Sequence, residues 1–363
     1  VAASFILELR EIAEYACDCE FSVFASSEVD ANLRSTGFDA RSVAHYEVFD
    51  VHGLGGLKPG VSHKFSGFDV VFTVFGPMYA WRRLPGQVVG FAQPWIIYPD
   101  NEINHSLPWW SRAKIRAKYA VQWAFFRRAE RLVVELQHVK NRLVALKGYP
   151  ADAIDVVSNC VSSVFFDETR WMPIPGMPKN DGSIVRLGFV SRDYPHKNIA
   201  FLHEIAKALG RKSSIDFRFV LTLTDSEWQS HSQEFRNVMV NVGPITIAQC
   251  PTFYSQVDAV VFPSLLECFS ATPLEAMMMG RPLFASDRGF VRDCCGEHAI
   301  YFDPLDPEVA ADCILKWFSD MTSDDRYQRV EGALRHVRSL PKAVDRARAY
   351  VDIALGWAGA RGN

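Results

Sequence analysis

The stretch Phe262-Pro-Ser-Leu-Leu-Glu-Cys-Phe-Ser-Ala-Thr-Pro-Leu-Glu-Ala-Met-Met-Met-Gly280 decides the fold of this chain. It begins where an apolar run, Val257-Asp-Ala-Val-Val-Phe262, reads as a buried strand that has reached its end. It stops at a glycine followed by Arg281-Pro282. Two carboxylates, Glu267 and Glu275, stand eight positions apart within it. Thr272-Pro273-Leu274-Glu275 has the pattern of a capping box, with Thr272 at the N-cap, Pro273 at the first helical position and Glu275 reaching back. A helix that starts just past the carboxyl end of a parallel strand offers free backbone N–H groups and the positive end of its dipole to a phosphate. A plainer explanation stands beside this one: Glu275 serves only its own helix, and Glu267 is an exposed loop residue.

Working outward, 363 residues suit two domains. Apolar residues at 48% and charged residues at 22% describe an ordinary globular composition. A net charge of −3 gives no global attraction to nucleic acid, so none is expected as a partner. The eight cysteines (17, 19, 160, 250, 268, 294, 295 and 313) contain no CxxC pair and no Cys/His cluster, so no metal site is expected and a reducing, cytoplasmic location fits. No apolar run approaches the ~18–20 residues of a membrane span, and no signal peptide is read. The first fifteen residues, Val1 to Tyr15, already pattern as an amphipathic helix. An α/β domain normally places a strand and a turn before such a helix, so the expectation is a natural chain that begins earlier and supplies a first strand and Gly-rich loop.

Short apolar runs follow, expected as strands of a parallel sheet: Glu20–Ala25, Arg41–Val48, Phe68–Phe75 closed by Gly76-Pro77, Gln87–Ala92, Arg131–Glu135 and Ala153–Val157. Pro94–Asn104 reads as an aromatic, polar loop at the carboxyl edge, with His105 after it. Pro108–Arg131 reads as a helix with seven basic residues against one acid, interleaved with Trp109, Trp110, Trp123, Phe125 and Phe126. Such a helix either lies on an anionic membrane surface or grips a phosphate-bearing acceptor, or it simply packs its aromatics inward and solvates its cations. A helix over Gln137–Lys147 ends at Gly148, and a Pro- and Gly-rich linker, Trp171–Ser183, marks the domain boundary. The second domain opens with a strand over Ile184–Val190. Arg192 and Lys197 then sit near the start of a helix, Ile199–Leu209, capped by Asn198 and ended by Gly210. Two cations at that edge suit a diphosphate, or else are surface charges in water. Further strands are expected at Phe217–Leu223, Val238–Gly243, Asp258–Phe262, Pro282–Ser286 and Ala299–Phe302, with helices at Ala248–Gln256, Pro307–Ser319, Asp324–Ser339 and Ala343–Trp357.

Four pieces in this order resemble the retaining GT-B glycosyltransferases of the Glu-x7-Glu group (glycosyltransferase family 4-like, glycosyl transferases group 1). Arg131-Leu-Val-Val-Glu to Asp155-Val-Val-Ser-Asn-Cys-Val161 is similar to the last strands and hinge of that family's first domain. Gly188-Phe-Val-Ser-Arg192 with Lys197-Asn198 is similar to its diphosphate clamp, and Asn241-Val-Gly-Pro244 to its base loop. Glu267 to Glu275 matches the two-Glu motif, and Tyr301 to Asp306 the segment after it.

The resemblance implies an α/β GT-B fold, two Rossmann-like domains facing across a cleft: an acceptor domain over 1–165, a nucleotide-sugar domain over 166–342, and a C-terminal helix, 343–363, packing back on the first. It implies that Arg192 and Lys197 neutralise the donor diphosphate, with Glu267 near the reacting carbon; these three are the catalytic candidates. Backbone N–H groups of Ala271 and Thr272 hold the distal phosphate, with Ser270 and Phe269 beside them. Glu275 takes the ribose hydroxyls and Ile245 lies near the base. On the acceptor side the candidates are Gln93, Trp95 and His105; Gln93 stands where many family members have a histidine, and Cys268 and Ser270 replace small glycines.

The expected reaction transfers a hexose, with retention, from a UDP- or GDP-linked sugar to a sugar hydroxyl of a glycan or lipid-linked glycan, in bacterial surface polysaccharide or lipopolysaccharide synthesis. It needs no metal and no other cofactor, because cations and backbone donors do the electrostatic work. Peripheral attachment to the inner face of the cytoplasmic membrane is expected through Trp109–Arg131. Two alternatives stay open: a non-catalytic glycan- or nucleotide-binding domain of a polysaccharide-assembly protein, and a GT-B epimerase or phosphorylase.

Overall fold

The structure is a computed structural model and describes every residue except 1, 13–18, 36–37, 40–42, 52, 85, 179–181 and 362–363. The end of the expected opening helix, Cys17, the first residues of the strand expected from Arg41, and three linker positions therefore lie outside the described residues. The chain divides into two compact units, one of Val1–Asp100, Leu107–Cys160 and Pro341–Asn363, the other of Asn101–Ser106 and Val161–Leu340.

The first unit begins with α1 (Ala2–Ile12), β1 (Ser22–Ala25), α2 (Ser27–Ser35), β2 (His45–Val48), α3 (Pro59–Lys64), β3 (Val71–Thr73), β4 (Gln87–Gly90) and α4 (Pro94–Ile97). After α5 (Glu102–Ser106), which groups with the other unit, come α6 (Trp109–Phe126), β5 (Arg131–Val134), α7 (Gln137–Lys147) and β6 (Ile154–Val156). β1 and β2 pair in parallel, and β3-β4-β5-β6 form a second parallel sheet in that order. All four residues of β4 are buried, which is why its run carries no alternation. Gly90 ends it because a Cβ there would lie 1.8 Å from the Val74 carbonyl oxygen. Gly148 closes α7 in the left-handed region at φ 61°, donating to Val144.

One apolar cluster joins Phe5, Ile6, Leu9 and Ile12 of α1 to Val23, Val88 and Val133 of the strands and to Ala347, Tyr350 and Val351 of the C-terminal helix, Ala343–Arg361. Phe5, Phe72 and Tyr350 meet edge to face at 5.2–5.8 Å. Arg346, buried within the same helix, donates to Asn159 and to Ser4 Oγ at 2.9 Å, and Asn159 in turn donates to Glu135 Oε1 at 2.7 Å. Burial pushes the Glu135 carboxyl up to about 7. A hydrogen-bonded cation and amide thus hold the C-terminal helix to the carboxyl ends of β5 and β6.

The second unit contains β7 (Ile184–Phe189), α8 (Ile199–Lys212), β8 (Asp216–Leu221), α9 (Asp225–Ser230), α10 (Gln233–Val238), β9 (Met239–Asn241), α11 (Cys250–Ser255), β10 (Ala259–Phe262) and α12 (Thr272–Met278). β11 (Leu283–Ser286), α13 (Gly289–Cys295), β12 (Ile300–Phe302), α14 (Pro307–Leu315) and α15 (Ser323–Ser339) complete it, and the helix described above is α16. Its six strands are all parallel, in the order β12-β11-β10-β7-β8-β9. The chain runs outward from β7 through β9, then returns beside β7 as β10 and runs the other way. The β7–β10 boundary is therefore the topological switch point, where an open α/β sheet leaves a crevice at the carboxyl ends of its strands. Gly188 in β7 allows α11 to pack there, since a Cβ would meet the Phe253 ring at 2.8 Å.

Four local expectations are corrected. Pro94–Asn104 is not a loop throughout: it holds α4 and the start of α5. α8 runs through Gly210 to Lys212, and Asn198 occupies its N-cap position without a side-chain cap. Asn198 adopts φ 57° instead, which asparagine tolerates, and its amide donates to the carbonyls of Pro263 at 3.4 Å and Pro304 at 3.0 Å. The capping box at Thr272 does not form either. Ala271 is the N-cap, with no side-chain bond.

Candidate functional site

The switch point explains which predicted residues meet. Lys197 ends a short 3-10 helix, Pro195–Lys197, beyond β7; Glu267 lies in the loop beyond β10. Their loops are tied by Leu265 N–H donating to the His196 carbonyl at 2.8 Å and by the Asn198 amide on Pro263. Lys197 Nζ and Glu267 Oε1 come within 2.9 Å, with side chains 16% and 9% exposed. A charge pair this far from water interacts more strongly than a surface pair, and each partner offsets the other's desolvation.

The rest of the motif is held from the side. Thr272, buried, donates through Oγ1 to the Val190 carbonyl at 3.4 Å, linking the start of α12 to the end of β7. Thr272 is thereby the first helical residue and its hydroxyl is engaged by the Val190 carbonyl, so no capping box forms. Glu275 Oε2 accepts from the Tyr254 hydroxyl at 2.9 Å, and both side chains are buried. Burial pushes the Glu275 carboxyl up to about 7, and the Tyr254 bond opposes that rise. Phe269, Ser270 and Ala271 form the half-buried turn before α12.

Arg192 stands apart from that pair. Its side chain is 53% exposed, and its Nε donates to both carboxylate oxygens of Glu227, at 2.9 and 3.0 Å. Glu227 is also the N3 residue of a complete capping box on α9, accepting from the Thr224 N–H and exchanging a bond with its hydroxyl. Burial works to raise the Glu227 pKa, but the bonds from Thr224, Arg192 and Asp193 outweigh it and draw it down to about 2. Asn241 braces the next loop by bonding both backbone groups of Leu223, at 2.8 and 3.0 Å. Half-buried Ile245 follows two residues after Gly243, whose φ is +76°.

The acceptor-side candidates fall in different units. Gln93 is the N-cap residue of α4, and Trp95 within that helix stacks on Tyr119 at 6.0 Å, both in the first unit. His105, exposed on α5, groups with the second, where Arg288 also pairs with Glu102 at 2.5 Å. α6 divides its aromatics. Phe126 packs on Phe91, Phe125 on Tyr79 and Trp123 on Tyr149, whereas Trp109 and Trp110 at its start are 76% and 52% exposed. Among the described residues no helix is long and apolar enough to cross a membrane, and no group of three or more His, Cys, Asp or Glu side chains is placed to hold a metal.

Two residues of this constellation escaped the sequence reading. Thr224-Asp-Ser-Glu227 carries a capping-box pattern that would have located α9 and drawn attention to Glu227. Tyr254 left only a faint trace, a tyrosine beside Phe253 in a short helix, whose hydroxyl needs a partner once buried.

These two parallel α/β units form a GT-B fold. Residues 185–320, which hold Arg192, Lys197, Glu267 and Glu275, match the model of the family Glycosyl transferases group 1. The chain is 24% identical over 191 residues to the O-antigen chain mannosyltransferase B of Escherichia coli, a match covering 50% of this chain and 49% of that relative's length. It thus spans about half the length of this curated relative. Among solved structures it is similar to a glycosyltransferase from Rickettsia africae ESF-5, with a TM-score of 0.69 at 15% identity over 98% of this chain and 94% of the other. It is also similar to Anabaena HepE in complex with UDP-glucose, with a TM-score of 0.63 at 17% identity over 99% and 95%.

Proposed function

We propose that this protein is a glycosyltransferase that moves a hexose, with retention of configuration, from a UDP- or GDP-linked sugar to a sugar hydroxyl of a glycan or lipid-linked glycan in bacterial surface polysaccharide synthesis. The observation that carries the reading is the pair of half-buried Lys197 and buried Glu267 at the switch point of a Glycosyl transferases group 1 domain, with Glu275 on the next helix. The mannosyltransferase relative and the UDP-glucose complex of HepE support the same class of donor and product.

In this reading Lys197 turns from Glu267 toward the diphosphate and neutralises the charge that grows as the nucleotide leaves. Glu267, released from that pair, accepts from the donor sugar near its reacting carbon. Arg192 adds a second cation. Its bond to Glu227 uses Nε, so the outer Nη groups face no competition from that carboxylate for phosphate oxygens. Ala271 and Thr272 supply backbone N–H groups, and ionised Glu275 takes the ribose hydroxyls. The electrostatic work is assigned to these groups without a metal or further cofactor. The exposed Trp109-Trp110 pair, with Lys114 Nζ 5.5 Å from the Trp110 ring centre, is the part of α6 suited to an anionic membrane surface on the cytoplasmic side.

Thermal unfolding against UDP, GDP, ADP, CMP and their sugar conjugates tests the donor site. A ligand at ~100 times its Kd adds about 2.7 kcal/mol. The proposal expects one diphosphate nucleotide to raise the midpoint, Glu275→Ala and Lys197→Ala to remove that rise, and the sugar conjugate to be consumed when a glycan acceptor is added. Nucleotide binding without turnover on any acceptor would favour a binding module instead. For the membrane, binding to anionic liposomes that is lost on neutralising Arg112, Lys114 and Arg116 is the expected result; indifference to liposomes refutes it.

A further inference from the structure

At the edge of the second unit's sheet opposite Lys197 and Glu267, a cavity of about 420 Å³ opens between the amino-terminal ends of β11 and β12, the Lys316–Asp320 turn and α15. Trp317 and neighbouring apolar side chains line it together with Arg281, Arg329, Arg335 and His298, and Glu297 is its one acidic lining residue. The volume lies in the range of small-molecule sites. Three guanidiniums stand against Glu297 in the lining, with Asp258 acting on Arg281 from outside it, and this positive excess makes the cavity a place for an anion. Arg281 shows the deficit most directly: Nη2 donates to the Ser255 carbonyl at 3.2 Å, whereas its Nε is buried with no hydrogen-bond partner. A buried donor left unsatisfied is costly, and an acceptor in the cavity removes that cost. His298 is fixed beside it, stacked on His336 at 4.9 Å, while His336 bonds the Cys294 carbonyl at 3.0 Å.

We infer that this cavity binds a small phosphomonoester with a ring-bearing body, of sugar-phosphate size, the phosphate meeting Arg281, Arg329 and Arg335 and the ring lying toward Trp317. Guanidiniums take two phosphate oxygens at once, which favours phosphate over a lone carboxylate. The backbone carbonyls at the end of α12 do not repel such a ligand strongly, because the Gly280 and Arg281 N–H groups already cap them, at 3.0 and 2.9 Å. The site is separate from the donor residues, which lie at the carboxyl ends of β7 and β10 in the same sheet, and it does not depend on the proposed transfer reaction.

The test is thermal unfolding of the full chain with hexose 6-phosphate, inorganic phosphate and free hexose. Hexose 6-phosphate at saturating concentration is expected to raise the midpoint by several degrees, phosphate by less, and free hexose not at all. Arg329→Ala and Arg335→Ala, both at exposed positions of α15 where refolding is not at stake, are expected to weaken the response at least tenfold in concentration. Glu275→Ala is expected to leave it intact. A response that persists in the arginine variants, one lost only with Glu275→Ala, or none with any phosphate at millimolar concentration overturns the proposal.

Discussion

Replacing Tyr254 with phenylalanine removes one oxygen and one hydrogen bond from the buried side of α12. The bond runs 2.9 Å to Glu275 Oε2, and the carboxyl it meets titrates at about 7 instead of at its ordinary 4.5. The native state therefore holds its proton more tightly than the unfolded chain does, and between about 4.5 and 7 this group makes stability fall as pH rises. A hydrogen bond to an ionised group contributes about 1.5–3 kcal/mol, against about 1 kcal/mol for a neutral one. Loss of the hydroxyl then raises the Glu275 pKa further, by about one unit at 1.36 kcal/mol per unit. Tyr254→Phe is thus expected to lower the unfolding midpoint slightly at about pH 5.5, where Glu275 is protonated, and by roughly twice as much at about pH 9; each kcal/mol is worth about 2–4 °C for a unit of this size. Nucleotide binding that needs ionised Glu275 should gain its affinity near pH 7 in the natural protein and about one pH unit higher in the variant. Unfolding curves at the two pH values and nucleotide titrations across that range measure both effects. Equal losses at both pH values, with an unmoved binding profile, would refute the reasoning.

Lys197→Met leaves Glu267 buried without its cation; a loss of about 3 kcal/mol is expected at neutral pH, as read by denaturant unfolding, together with loss of the nucleotide response. Glu227→Gln removes the N3 carboxylate of the α9 capping box and the partner of Arg192: about 1 kcal/mol of stability should go, and nucleotide affinity should fall through KM more than kcat as Arg192 loses its fixed orientation. Gly90→Ala forces a methyl group to within 1.8 Å of the Val74 carbonyl oxygen, so a loss above about 3 kcal/mol, or failure of the first unit to fold, is expected; a midpoint unchanged within error would refute the close approach of those two segments.

Much of the architecture was legible because it rests on periods and punctuation that act locally. Continuous apolar runs such as Ala259–Phe262 are buried on both faces and show no alternation, which points to parallel strands. Gly148 stops α7 where the sequence placed the stop, because a left-handed C-cap is a local preference of glycine. The spacing of Glu267 and Glu275 was visible as well. The direction each side chain takes was not. A capping box and a tertiary hydrogen bond compete for the same atoms, and burial decided against the box at Thr272, whose hydroxyl bonds Val190, and at Glu275, which bonds Tyr254. At Thr224–Glu227 the N3 carboxylate takes Arg192 and the Thr224 N–H together, and the same motif forms in full.

What the amino-acid sequence determined by itself was the set of parallel strands, the helices between them and the identity of the polar residues at their carboxyl ends, since these follow from short-range sterics, hydrophobic burial and turn chemistry. Only the tertiary structure decided that β10 returns beside β7, so that Lys197 and Glu267, seventy residues apart, lie within 2.9 Å. It alone decided that Arg192 leans on Glu227, and that α6 packs Trp123, Phe125 and Phe126 on neighbouring rings while Trp109 and Trp110 stay exposed. These are choices among partners distant in the chain. Their free energy depends on which surfaces meet and how much water they exclude, a quantity no local pattern contains.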